Sequence, residues 1–185
     1  MLTAKAREDG AVLDLTVSNV TDHQWPDVAA IVPCFTPGLA PSVTPSTTSC
    51  DEQQSRTWYM GLVGLQPLVK RDIHFNRDYR RAVDECSSDG VFEFSDKWPS
   101  SDQNAAGGLL VRESSDEKWV VGIAWESYLS LQGHNPWRCM HRSVRVGPLD
   151  PGETRHINGR IYLFKGTRED CLARRSSDAR LQDGG

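Results

Sequence analysis

The stretch GHNPWRCMH, residues 133 to 141, places two histidines, a cysteine, an arginine and a tryptophan within nine positions. The unperturbed imidazole titrates closer to neutral pH than other side chains, so His134 and His141 are candidate acid–base groups. Glu126, at the end of the apolar run VVGIAWE, supplies a carboxylate, and His74, in KRDIHFN, a third imidazole. Trp125, Asn135, Trp137 and Arg138 add indole surface and hydrogen-bonding groups, the mixture that a sugar or small organic acid needs. The expected site uses His141, His134 and Glu126 as catalytic groups and His74, Trp125, Asn135, Trp137 and Arg138 as ligand-binding groups.

Local stereochemistry says how the motif is held. Pro136 biases Asn135 away from helix and Gly133 permits a left-handed corner, so the chain turns between His134 and Trp137. On the strand that follows, Cys139 and His141 lie two apart and share a face, with Arg138 and Met140 on the other. In the plainer reading, Cys139 is buried filler and the tryptophan packs a corner. The spacing matches no zinc signature, so neither a metal nor a cofactor is expected. A metal enzyme ligated by His74, His134 and His141 is the alternative from that chemistry.

The elements that position these residues are strands. AVLDLTVSNV (11–20) alternates apolar and polar residues, and DVAAIVPCF (27–35) is a continuous apolar run, as in a buried strand. Residues 36–55 are rich in Pro, Ser, Thr and Gly and read as a long loop. Two short strands are expected within 56–75, a short helix over 76–86 and an alternating strand at 91–94. GLLVRES (108–114) and KWVVGIAWES (118–127) flank a short polar connection and predict a hairpin. Further strands are expected over 141–146 and 154–164. Thr167 and Asp170 are spaced as a capping box ahead of EDCLARR, which predicts a terminal helix followed by a frayed polar tail from Ser176. The pattern predicts an all-β fold, an antiparallel β-sandwich or jelly roll with a short C-terminal helix. One domain is expected over 1–175, with 176–185 as the tail.

Composition narrows the partners. A net charge of −4 and short basic runs give no groove for nucleic acid. No apolar stretch is long enough for a membrane span, and MLTAKAREDG lacks the apolar centre of a signal peptide. Five cysteines without a C-x-x-C pair read as reduced thiols, which favours a cytoplasmic location.

The segments LDLTVSNVTDHQWPDV and VGPLDPGETRHINGRIYLF together resemble bacterial β-sandwich domains of the galactose mutarotase-like type. That resemblance implies a sandwich fold, a carbohydrate ligand and proton transfer by histidine and a carboxylate, roles that His134, His141 and Glu126 fill. LDPGETRHI is also similar to the second half of a cupin motif, but no H-x-H with a downstream Glu precedes it, and a turn between strands is the simpler account. The expected function is binding of a carbohydrate or small polar ligand, with epimerase- or lyase-like chemistry if the site is catalytic. A non-catalytic interaction module, assembling as a homo-oligomer, is the alternative of a different class.

Overall fold

Trp119 to Trp125 is apolar almost without a break because the strand it forms is buried on both sides. In the computed structural model, residues 1–27, 29–31, 34–37, 56–68, 72–88, 99–132 and 139–183 are described. The strands are β1 (Leu2–Arg7), β2 (Gly10–Ser18), β3 (Ala29–Ile31), β4 (Thr57–Gly61), β5 (Gly64–Pro67) and β6 (His74–Phe75), then β7 (Ala105–Glu113), β8 (Trp119–Trp125), β9 (Ser130–Gln132), β10 (His141–Arg145) and β11 (Thr154–Lys165). Helix α1 (Arg80–Ser88) follows β6, and α2 (Arg168–Asp183) follows β11. A seven-stranded sheet has the order β1-β2-β11-β8-β7-β4-β5, and a four-stranded sheet the order β3-β10-β9-β6. The fold is an all-β antiparallel sandwich with a C-terminal helix.

Alternation along β8 shows how the layers are joined. Val121, Ile123 and Trp125 belong to the cluster shared with Leu131, Met140 and Val144, residues on or beside the small sheet. Val120 and Ala124 belong instead to a second cluster with Leu109, Val111, Phe164 and Cys171, the last on α2. The large sheet is therefore the middle layer, with the small sheet on one face and α2 on the other. Successive side chains on a strand point to opposite faces, so a strand in a middle layer must be apolar at every position.

The capping box forms as the sequence predicts. The Thr167 amide and hydroxyl both donate to Asp170 Oδ2 at 2.9 Å, and the Asp170 amide donates back to Thr167 Oγ1 at 3.3 Å. The hairpin of β7 and β8 and the strand over 154–164 also match. Several boundaries move. The helix expected over 76–86 begins at Arg80, and the described part of the strand expected over 27–35 is Ala29–Ile31, with Phe35 in an isolated bridge to Met140. The tail predicted to fray from Ser176 is instead helical through Asp183. Its Asp178 carboxylate accepts a 2.8 Å hydrogen bond from Tyr162 Oη, tying this turn to the sheet. Strand β1 has no counterpart in the reading of the sequence, because LTAKAR is exposed at every position and carries no buried stripe. Most of the 36–55 loop and the strand expected at 91–94 lie outside the described residues. No described helix is long and apolar enough to cross a membrane.

Helix α2 approaches β8 closely because position 122 has no side chain. A Cβ on Gly122 would sit 2.7 Å from Cys171 Sγ and 3.4 Å from Leu109 Cδ1. Overpacking of this kind costs about 1–3 kcal/mol. Gly122→Ala is expected to lower the urea midpoint of unfolding accordingly, and an unchanged midpoint would show that α2 docks without this contact.

Candidate metal centre

Two tripeptides on neighbouring chain segments build the site. Phe35 and Met140 form an isolated antiparallel bridge, in which the Met140 amide donates to the Phe35 carbonyl at 2.7 Å. Met140 is fully buried in the sandwich core, and Phe35 packs against the same cluster. Their sequence neighbours must point the other way. Cys34 and Thr36 on one segment, with Cys139 and His141 on the other, therefore share the outer face of the small sheet.

These four side chains are in contact. Cys34 Sγ lies 3.1 Å from His141 Nε2, and Thr36 Oγ1 lies 3.2 Å from Cys139 Sγ. The two sulfurs and one imidazole nitrogen all fall within 4.8 Å of one another. Cys139 is buried, His141 half-buried and Cys34 exposed, so the cluster has a dry side and a wet side. A hydrogen bond with Cys139, together with burial, pushes the Cys34 thiol up, and burial holds His141 below the ordinary imidazole value. Without a cation, the favoured state is protonated Cys34 beside a neutral imidazole.

Such a set of donors suits a thiophilic divalent ion. Zinc holds sulfur at about 2.3 Å and imidazole nitrogen at about 2.0 Å. A tetrahedron with those bonds separates its donor atoms by roughly 3.5–3.8 Å, inside the observed cluster. Deprotonation of the thiols on metal binding would supply the negative charge that the site otherwise lacks.

The other residues singled out from the sequence do not gather here. His74 pairs with Leu131 on β9, and Leu131 pairs with Arg142 on β10, whereas His141 pairs with Gln132. This offset of one residue puts His74 and His141 on opposite faces of the small sheet. His74 is 6% exposed, with its ring centroid 4.1 Å from that of Tyr59 and Nδ1 donating to the Gln103 carbonyl at 3.1 Å. Glu126 is on neither face of that sheet. It follows β8, where its carboxylate accepts from the Asn158 amide at 2.7 Å. The expected convergence of His74, His141 and Glu126 is thus replaced by three separate locations. Trp125 is 1% exposed within the core, so it offers no stacking face to a ligand. His134, Asn135, Trp137 and Arg138 lie outside the described residues.

A second feature lies on the α2 side of the large sheet. An open cleft of about 180 Å³ is lined by Ala124, Glu126, Asn158, Arg160, Arg175 and Asp178, among others. Arg160 is committed to Asp9 at 2.7 Å. Arg175 has no hydrogen bond or ion pair with a described residue.

Cys34 was missed as a site residue because the five cysteines are dispersed singly along the chain. The available signal was alternation, since C-F-T and C-M-H each place an apolar residue between two polar or sulfur-bearing ones. Comparison of the chain with protein-family models, curated proteins and solved structures gives no match.

The buried imidazole of His74 has a testable consequence. Burial lowers its proton affinity in the fold, against the raising effects of the Gln103 carbonyl and Asp72. The unfolded chain therefore binds that proton more readily. Stability from this group is complete above about pH 6.5 and is lost as pH falls below it toward the folded value. The urea midpoint is expected to drop between about pH 7.5 and about pH 5.5, and to drop less in His74→Asn. Equal losses in the two proteins would assign the effect to other groups.

Proposed function

We propose that this chain is a metal-binding β-sandwich protein, with Cys34, Cys139 and His141 as ligands and zinc as the best-matched ion. The proximity of the three donor atoms, all within 4.8 Å, carries this reading. Two sulfur donors favour zinc over magnesium or calcium, which select oxygen. Thr36 sits where a hydroxyl can donate to the Cys139 sulfur, the kind of outer contact that orients a ligand and tunes its basicity. Three protein ligands among the described residues leave one tetrahedral position that water or a small molecule would fill, the arrangement found in zinc sites that act as Lewis acids. The exposed side of the cluster, at Cys34, is where such a ligand would enter.

Elemental analysis of chelator-stripped, reloaded chain is expected to give one zinc per chain. Cobalt substitution should add the near-ultraviolet absorption of thiolate-to-cobalt charge transfer and visible bands of a tetrahedral ion. Cys34→Ser, Cys139→Ser and His141→Ala should each weaken binding at least about tenfold, judged by the 10–100-fold losses that even outer-contact changes produce. His74→Ala should leave binding unchanged, which separates this centre from a triad of histidines. A reduced, folded chain that takes up no stoichiometric zinc or cobalt would refute the proposal.

A second reading is favoured by the cleft beside α2, where Glu126 supplies acceptors and Arg175 a guanidinium donor. Its volume of about 180 Å³ suits a monosaccharide or small hydroxy acid held by hydrogen bonds, without indole stacking and without a His–Glu pair. Ligand-observed NMR against a panel of monosaccharides and hydroxy acids tests it. Binding that disappears in Glu126→Ala and Arg175→Ala supports the reading, and silence across the panel removes it.

A further inference from the structure

We propose that Cys34 and Cys139 form a thiol switch on this centre: oxidation by a peroxide joins the two sulfurs and expels the bound metal. The release step rests on the metal reading given above. The joining step rests on geometry. Both sulfurs lie within the 4.8 Å cluster, on the same face of the sheet. A disulfide needs its sulfurs at about 2.05 Å and its Cα atoms at roughly 4.4–6.8 Å, so the side chains must turn toward each other. Phe35 and Met140 meet in an isolated bridge, and neither Cys34 nor Cys139 belongs to a continuous strand.

Exposure divides the work between the two thiols. Cys34 is exposed and meets a dissolved oxidant first, whereas Cys139 is 5% exposed and is screened by its neighbours. The Cys34 sulfur attacks one peroxide oxygen. The O–O bond breaks, an S–O bond forms, and the departing oxygen leaves as water after taking up a proton. The Cys139 sulfur then attacks the Cys34 sulfur. An S–S bond forms, the S–O bond breaks, and a second water leaves. Two thiols and one hydrogen peroxide thus give one disulfide and two waters, with both sulfurs oxidised and both peroxide oxygens reduced. Starting from metal thiolates, solvent supplies the two protons and the divalent ion departs. His141 alone remains, and one imidazole does not hold zinc against water.

The remaining described cysteines have no such arrangement. Cys86 is exposed on α1, and Cys171 is buried between α2 and the large sheet, where burial pushes its thiol up to about 12. Neither shares a cluster with a second described cysteine. Among the described cysteines the switch is accordingly confined to one pair.

The 185-residue chain carrying Cys50→Ser and Cys86→Ser, reduced and zinc-loaded, serves for the test. Zinc content is measured before oxidant is added, so failure of the metal reading is seen first and separately. One equivalent of hydrogen peroxide is expected to release the zinc to a chromophoric chelator, with loss of two hydrogens in intact mass. Peptide mapping should show Cys34 linked to Cys139, and dithiothreitol should restore zinc binding. Zinc that stays bound, or that leaves with Cys34 oxidised to sulfinic acid and no link to Cys139, overturns the switch while leaving the metal centre standing. A chain that never binds zinc overturns both.

Discussion

The inward stripe of the segment 140–146 organises the small sheet and everything attached to it. Met140, Arg142 and Val144 are fully buried and Val146 is 4% exposed, so every second residue is held in the interior. A slip of one position would turn the whole stripe to solvent, and that penalty fixes the pairing of β10 with β9 and β3. Arg142 is the unusual member. Its guanidinium donates to the Trp125 carbonyl, lies 4.6 Å from the Tyr128 ring centroid and fills the space left by the missing side chain of Gly108. Burial opposes its charge and pushes the Tyr128 phenol up to about 12. Arg142 Nε and Nη1 find no hydrogen-bond partner among the described residues. A cation held this way is costly, and it ties β10 to the middle sheet in a single register.

The outward residues of the same segment inherit their positions from this constraint. With Met140 inward, Cys139 and His141 face out, and the bridge to Phe35 brings Cys34 and Thr36 beside them. The cluster is therefore anchored from beneath by the apolar burial of Met140 and the packing of Phe35. The same register turns His74 inward, where it serves packing and a backbone hydrogen bond. Two imidazoles on neighbouring parts of one small sheet thus have different fates.

The large sheet carries a different set of consequences. Because α2 covers one of its faces, the polar residues of that helix are placed above the strands. Asp178 receives the Tyr162 hydroxyl, and Arg174 reaches Asp9 at 2.7 Å, close to Arg160 on the same carboxylate. The small side chain of Ala124 forms part of the cleft, with Glu126 and Arg175 also lining it. The cluster of Cys34, Cys139 and His141 and the cleft lie on different sheets.

Features governed by neighbours along the chain were legible from the residues alone. The apolar alternation of β2, the hairpin of β7 and β8, the strand at 154–164, the capping box at Thr167 and the shared face of Cys139 and His141 all depend on periods of two to four residues. What the tertiary structure decided was which distant segments meet and in what register. Cys34 and His141 are 107 positions apart, and no local period connects them. The extension of α2 past Ser176 depends on a sheet that the helix sequence does not contain, and the burial of Trp125 and His74 depends on layers assembled from far along the chain. Local backbone geometry thus settled which way each side chain points along its own strand. Burial of the inward stripe settled what each one meets.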